Sequence, residues 1–165
     1  MRHRRIIDQL TARLGAAGIL IGSTSRAPWI ELFESDLGRR LPAPFADFVR
    51  RYSFQPFEWG PVMVFGNSGS DDPFNLHVAA KSDPAIWQAM RQAGLIQIGR
   101  PSTGGYDPIC LDTRASGREL AVVQLDHETI LIKNQIKVAK QIAPSFVALI
   151  ESLIVSGSEP EPIEA

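Results

Sequence analysis

At 165 residues, with 44% hydrophobic and 21% charged residues, the chain has the composition of a folded domain that buries about two thirds of its unfolded surface. Disordered and collagen-like classes are excluded, and a formal net charge of -1 gives no chain-wide attraction to nucleic acid or to a membrane surface. One cysteine, Cys110, excludes an internal disulfide and fits a reducing compartment, with the cytoplasm as the expected location.

Residues 4–15 read as an amphipathic helix, because Ile6, Ile7, Leu10 and Leu14 recur at helical spacing before Gly15 and Gly18. Arg4, Arg5 and Arg13 fall on its polar side and read as a solvated face. The start resembles a secretory leader, but Asp8 and Gln9 interrupt the apolar run, and no later window reaches the length of a membrane span. A short strand is expected at 19–21 and a polar linker at 23–28. Ile30, Phe33 and Leu37 then predict a second helix ending at Gly38. Phe45, Phe48, Val49 and Tyr52 predict a third, with Pro44 in its first turn, and Phe54, Phe57 and Trp59 extend this aromatic layer of the core.

Residues 61–66 and 76–79 read as strands. The flexible acidic loop between them, 67–73, lacks the Lys-Ser/Thr pair that ends a phosphate-cradling motif. Ser82-Asp83-Pro84 caps and opens a fourth helix carrying Ile86, Trp87 and Met90, and Gly94 stops it. The strongest punctuation follows at 95–112, where two apolar runs flank a loop holding Gly99, Gly104, Gly105, Pro101 and Pro108: strand, shaped loop, strand. Residues 120–125 and 129–133 predict two more strands, and Asn134-Gln135 predicts a tight hairpin into 136–138. Pro144-Ser145-Phe146 opens a last helix with Leu149, Ile150, Leu153 and Ile154 on one stripe. The proline-spaced acidic tail, 156–165, is expected to be mobile.

This order predicts an α+β fold: a single domain whose helices pack on a largely antiparallel, mixed sheet. Residues 1–22 form an N-terminal helix and linker, 23–155 the main domain and 156–165 the tail.

No cofactor motif is present. Asp126-His127-Glu128 offers two carboxylates and an imidazole, the groups of a metal site or of a general base with its orienting partner. Consecutive strand residues face opposite ways, so a polar strand end is the better reading and no metal site is expected. Asp107, Asp112 and His77 would join only if the fold gathers them. A thiol nucleophile at Cys110 with His127 and Asp126 would need an exposed thiolate, whereas Cys110 lies mid-strand between Ile109 and Leu111. The glycine loop precedes a strand rather than a helix N-terminus, which argues against phosphate binding.

Four segments together resemble the SUKH superfamily of fungal cell-wall-assembly regulators and bacterial toxin-immunity proteins. They are Glu34, Leu37-Gly38, Leu41-Pro42, Phe45, Phe48 and Tyr52; Ile98-Gly99, Gly104-Gly105 and Asp107 to Asp112; Val122 to Glu128, ending in aspartate-histidine-glutamate; and Ala143 to Phe146. Ser53-Phe54 stands where the family usually carries asparagine-glycine. The resemblance spans residues 30–154. It implies a SUKH-like fold and a non-catalytic protein-binding role, foremost an immunity protein that neutralises a cognate bacterial toxin by direct binding. A regulatory scaffold like the fungal members is the alternative, and a Cys/His-dependent enzyme is the least supported. The candidate partner-binding residues are Arg100, Tyr106 and Asp107 in the glycine loop, with Asp126 and Glu128 beyond the next strand.

Overall fold

The computed structural model describes residues 2–24, 28–68, 72–115 and 120–163. Helix α1 (Arg2–Ala16) buries Ile6, Ile7, Leu10 and Leu14, the stripe its spacing predicts. Strand β1 (Ile21–Ser23) pairs antiparallel with β2 (Tyr52–Phe54) in a small separate sheet. Between them lie α2 (Pro28–Leu37) and α3 (Phe45–Arg51), and Glu34 of α2 accepts the Leu41 amide at 2.8 Å and pairs with Arg50 of α3. Glu34 thus fastens two helices to the turn between them.

Seven strands form the main sheet: β3 (Phe57–Trp59), β4 (Val62–Val64), β5 (Leu95–Pro101), β6 (Ile109–Asp112), β7 (Val122–Leu125), β8 (Val138–Ala143) and β9 (Glu161–Pro162). Their spatial order is β8-β7-β6-β5-β4-β3-β9, and every pairing is antiparallel. Three further helices connect these strands, α4 (Leu76–Ala79), α5 (Pro84–Ala93) and α6 (His127–Lys133), and α7 (Phe146–Val155) follows β8.

Side chains alternate across a strand, so a strand buried on both faces feeds two cores. Ile96, Ile98, Ile109, Leu111 and Val122 join the larger cluster with α1, α2, α3 and α7. Leu95, Cys110, Val123 and Leu125 point the other way, into a smaller cluster with Ile86, Ala89 and Met90 of α5 and Ile130 of α6. The larger core holds most of the aromatic residues, with Phe48 stacked on Phe54 at 4.4 Å and Phe45 edge-on to Phe146 at 5.3 Å.

The helix ends follow local chemistry. Asp83 caps α5 by accepting from the Ala85 and Ile86 amides, and Gly94 closes it in the left-handed conformation at φ 81°. Ser145 caps α7 through the Ala148 amide. Gly99 is required by proximity: a Cβ there would lie 2.1 Å from the Met63 carbonyl oxygen across the β4–β5 ladder.

Several sequence expectations need correction. Residues 76–79 form α4, not a strand, because Leu76 and Ala79 are buried at i and i+3. Four residues are too few to separate that pattern from alternation. Residues 129–133 also belong to a helix, α6, since the Asp126 carboxylate accepts from the Glu128 and Thr129 amides and starts a helical turn that buries Ile130. The expected hairpin at Asn134-Gln135 is absent. Asn134 does adopt the left-handed backbone expected of it, at φ 50°, but as the C-cap of α6.

Tyr52, expected to end the third helix, instead opens β2, while Phe54, Phe57 and Trp59 are buried in β2 and β3. Pro44 precedes α3 as its N-cap, after a cis Ala43-Pro44 bond. Asn67, expected in a flexible loop, is buried, with its side chain bonded to Val49 O, Tyr52 O and Phe54 N at 2.8–3.0 Å. Residues 69–71 of that loop, and 25–27 of the expected linker, lie outside the described residues.

The tail, expected to be mobile, lies along the sheet. Glu161 and Pro162 pair with β3, the Trp59 indole donates to Ser158 O at 3.0 Å, and Arg13 pairs with Glu159 at 3.1 Å. A tail too polar to form a core of its own meets an existing strand edge and an indole donor here. Its last two residues, 164–165, are outside the described set. No helix among the described residues is long and apolar enough to cross a membrane.

Candidate functional site

The 95–112 segment is a strand pair whose register slips between Gln97 and Gly99. Such a bulge twists the strand locally and re-aims the side chains beyond it. Arg100 is the next residue, paired across the ladder with Met63 of β4. Its guanidinium carbon sits 5.7 Å from the Phe65 ring centroid and 5.8 Å from that of Tyr106. Phe65 is buried, whereas Tyr106 is 65% exposed in the loop before β6.

Asp107, the next residue, holds the start of α6. One carboxylate oxygen accepts the His127 backbone N–H at 3.0 Å and lies 2.6 Å from the same residue's ring Nδ1. The other accepts the Gln124 side-chain amide at 3.0 Å. Burial alone would raise the Asp107 pKa, but these hydrogen bonds outweigh it and hold the carboxyl below its ordinary range. The Tyr106 ring meets the His127 ring edge-on at 6.1 Å.

Asp126 supplies the second anchor. Besides capping α6 it accepts from the Thr129 hydroxyl at 2.9 Å, and Lys137 lies 3.7 Å away. The Thr129 contacts lead the effects that lower its pKa. Glu128, also in the first turn of α6, gives its backbone amide to Asp126 but is an exposed residue. The structure therefore gathers Arg100, Tyr106, Asp107 and Asp126 around His127 and leaves Glu128 at the margin.

Of the residues that depended on the fold, Asp107 joins the site. Asp112 instead forms a bidentate pair with Arg114 at 2.9 Å, which lowers its pKa, and His77 stacks on Trp29 at 5.5 Å. Cys110 is wholly buried, its Sγ 3.6 Å from Met90 Sδ, and burial pushes the thiol pKa far up. A protonated, enclosed thiol cannot serve as the nucleophile.

Asp107, Asp126 and His127 bring one possible metal-ligand atom each to within 4.8 Å of one another. The carboxylates of Asp107 and Asp126 accept from the His127, Glu128 and Thr129 backbone amides, the Thr129 hydroxyl and the Gln124 amide, and these hydrogen bonds hold the cluster together.

A cavity of about 340 Å³ opens beside this network, between α5, β5 and α6. Ser82, Gln97, Arg100, Tyr106, His127 and Leu131 are among its walls. That volume is at the lower end of the roughly 300–1,000 Å³ usual for binding pockets. Leu131 is 49% exposed at its rim and the adjacent Ile132 is 78% exposed. Sequence reasoning missed Ser82, Gln97 and Leu131. A polar Gln97 inside the run Leu95-Ile96-Gln97-Ile98 was an available signal, whereas Leu131 was hidden by the expectation of a strand.

No family model matches the chain, and no curated protein matches its sequence.

Proposed function

We propose that the chain is a non-catalytic protein-binding domain whose contact face is the Arg100–Tyr106 cavity and its rim. The observation that carries this reading is Tyr106, an aromatic ring left 65% exposed on a concave face beside a guanidinium and an exposed aliphatic side chain, Leu131. Tyrosine and arginine are the residue types most often found at the energetic centre of protein interfaces, and grouped exposed apolar side chains mark such surfaces. Asp107 and Asp126 support the face by fixing the start of α6.

The SUKH resemblance narrows the proposal to an immunity protein that blocks a cognate bacterial toxin by direct binding. Co-expression with the toxin encoded beside this chain tests it. Protection of the host and a co-purifying complex are expected with the wild type and not with Tyr106→Ala. Neither protection nor a complex with the wild type would refute the immunity role.

A further inference from the structure

Arg100 carries a permanent positive charge that the fold leaves unanswered. Its only hydrogen bond among the described residues is a long one, Nη2 to Ser82 Oγ at 3.4 Å, and it forms no ion pair with a described carboxylate. Its Nε is buried and has no acceptor among the described residues. An N–H removed from water without a partner is unfavourable, so such groups are normally satisfied.

Two acids of this region are otherwise engaged. Asp83, also in the cavity wall, is taken by the Ala85 and Ile86 amides, and Asp107 by His127 and Gln124. Phe65 and Tyr106 both lie against the guanidinium, which limits its motion while leaving donors unused.

We propose that the cavity receives a carboxylate side chain, aspartate or glutamate, from an acidic segment of a protein partner, with Arg100 as its receptor. This rests on the protein-binding reading and names the group recognised. A planar guanidinium matches a planar, singly charged carboxylate through two parallel hydrogen bonds. A doubly charged phosphate would meet stronger repulsion than a carboxylate from Asp83 in the same cavity wall.

The side-chain Nε–Hε resonance of Arg100, followed by NMR in the full chain, reads the unpaired donor directly. The probes are the capped peptide acetyl-Ala-Glu-Ala-amide, its glutamine counterpart and inorganic phosphate, each titrated to about 20 mM. A saturable shift with the glutamate peptide is expected, at least about fivefold weaker with glutamine or phosphate. Arg100→Gln should abolish peptide binding with the remaining resonances in place, and Arg100→Lys, which keeps charge but not the planar fork, should weaken it several-fold.

Equal response to glutamate and glutamine, a stronger response to phosphate, or no saturable response would overturn the proposal. If that happened while Tyr106→Ala still weakened the cognate complex, the carboxylate receptor would fall and the protein-binding reading would stand. A saturable glutamate response with no cognate complex would retain the receptor and remove the immunity role.

Discussion

The Arg100 cavity and the groove beside α7 are both concave, yet their polar groups are used in opposite ways. The groove, about 250 Å³, is lined by Pro42, Pro44, Phe45, Leu111, Ser145 and Phe146. Its aromatic residues are buried and packed on each other, and Ser145 is engaged in capping α7. The Arg100 cavity exposes its tyrosine and leaves an arginine N–H unpaired. Size does not separate the two; the difference lies in which groups the fold has already used. By that criterion the groove is assigned to stability and the cavity is the face proposed for recognition.

Substitutions should divide along the same line. Phe146→Ala removes a ring that is edge-on to Phe45 and stacked on Phe48, and should cost about 3–5 kcal/mol in chemical denaturation. A loss under about 1 kcal/mol would mean that the groove is not a structural element. Asp107→Ala strips the acceptor from the His127 and Gln124 donors. It should destabilise by about 1–3 kcal/mol and also weaken partner binding, because α6 loses its anchor. A change in stability with untouched affinity would separate the network from the recognition face. Ser145→Ala should cost about 1 kcal/mol through the lost cap and leave affinity unchanged. Weakened binding in that variant would place the groove in the interface.

Acid should loosen the cavity side through Asp107. Its folded-state pKa is lowered, so its contribution to stability is complete above the unfolded carboxylate value, about 3.9, and is lost as pH falls through the lower folded value. In Asp107→Asn this component of the acid transition should disappear. An unchanged pH profile would show that the hydrogen bonds to His127 do not contribute to stability.

Much of the fold is readable locally. Asp83, Gly94 and Ser145 mark helix ends by capping chemistry within a few residues of themselves, and the apolar stripe of α1 survives as its buried face. The α6 segment was illegible for the converse reason. Thr129-Ile130-Leu131-Ile132 has strand-like composition, and what makes it helical is the Asp126 cap together with Ile130 packing into the α5 core. The ordered tail depends on the β3 edge and Trp59, about a hundred residues away in sequence.

The site was legible in part. The loop glycines pointed to a shaped segment presenting Arg100, Tyr106 and Asp107, but contact with Phe65, Ser82 and His127 comes from strand order and helix placement. Those long-range relations leave no local pattern. Misreading 129–133 as a strand also hid Leu131, the exposed apolar residue in the cavity wall.

The most direct test of the recognition claim is the affinity of the chain for the toxin partner proposed above, measured by titration calorimetry with wild type and Tyr106→Ala, alongside their thermal stability. Affinity should fall at least tenfold, equivalent to about 1.4 kcal/mol, with stability unchanged to within about 0.5 kcal/mol. Equal affinities for the two proteins would contradict the assignment of this cavity as the binding face.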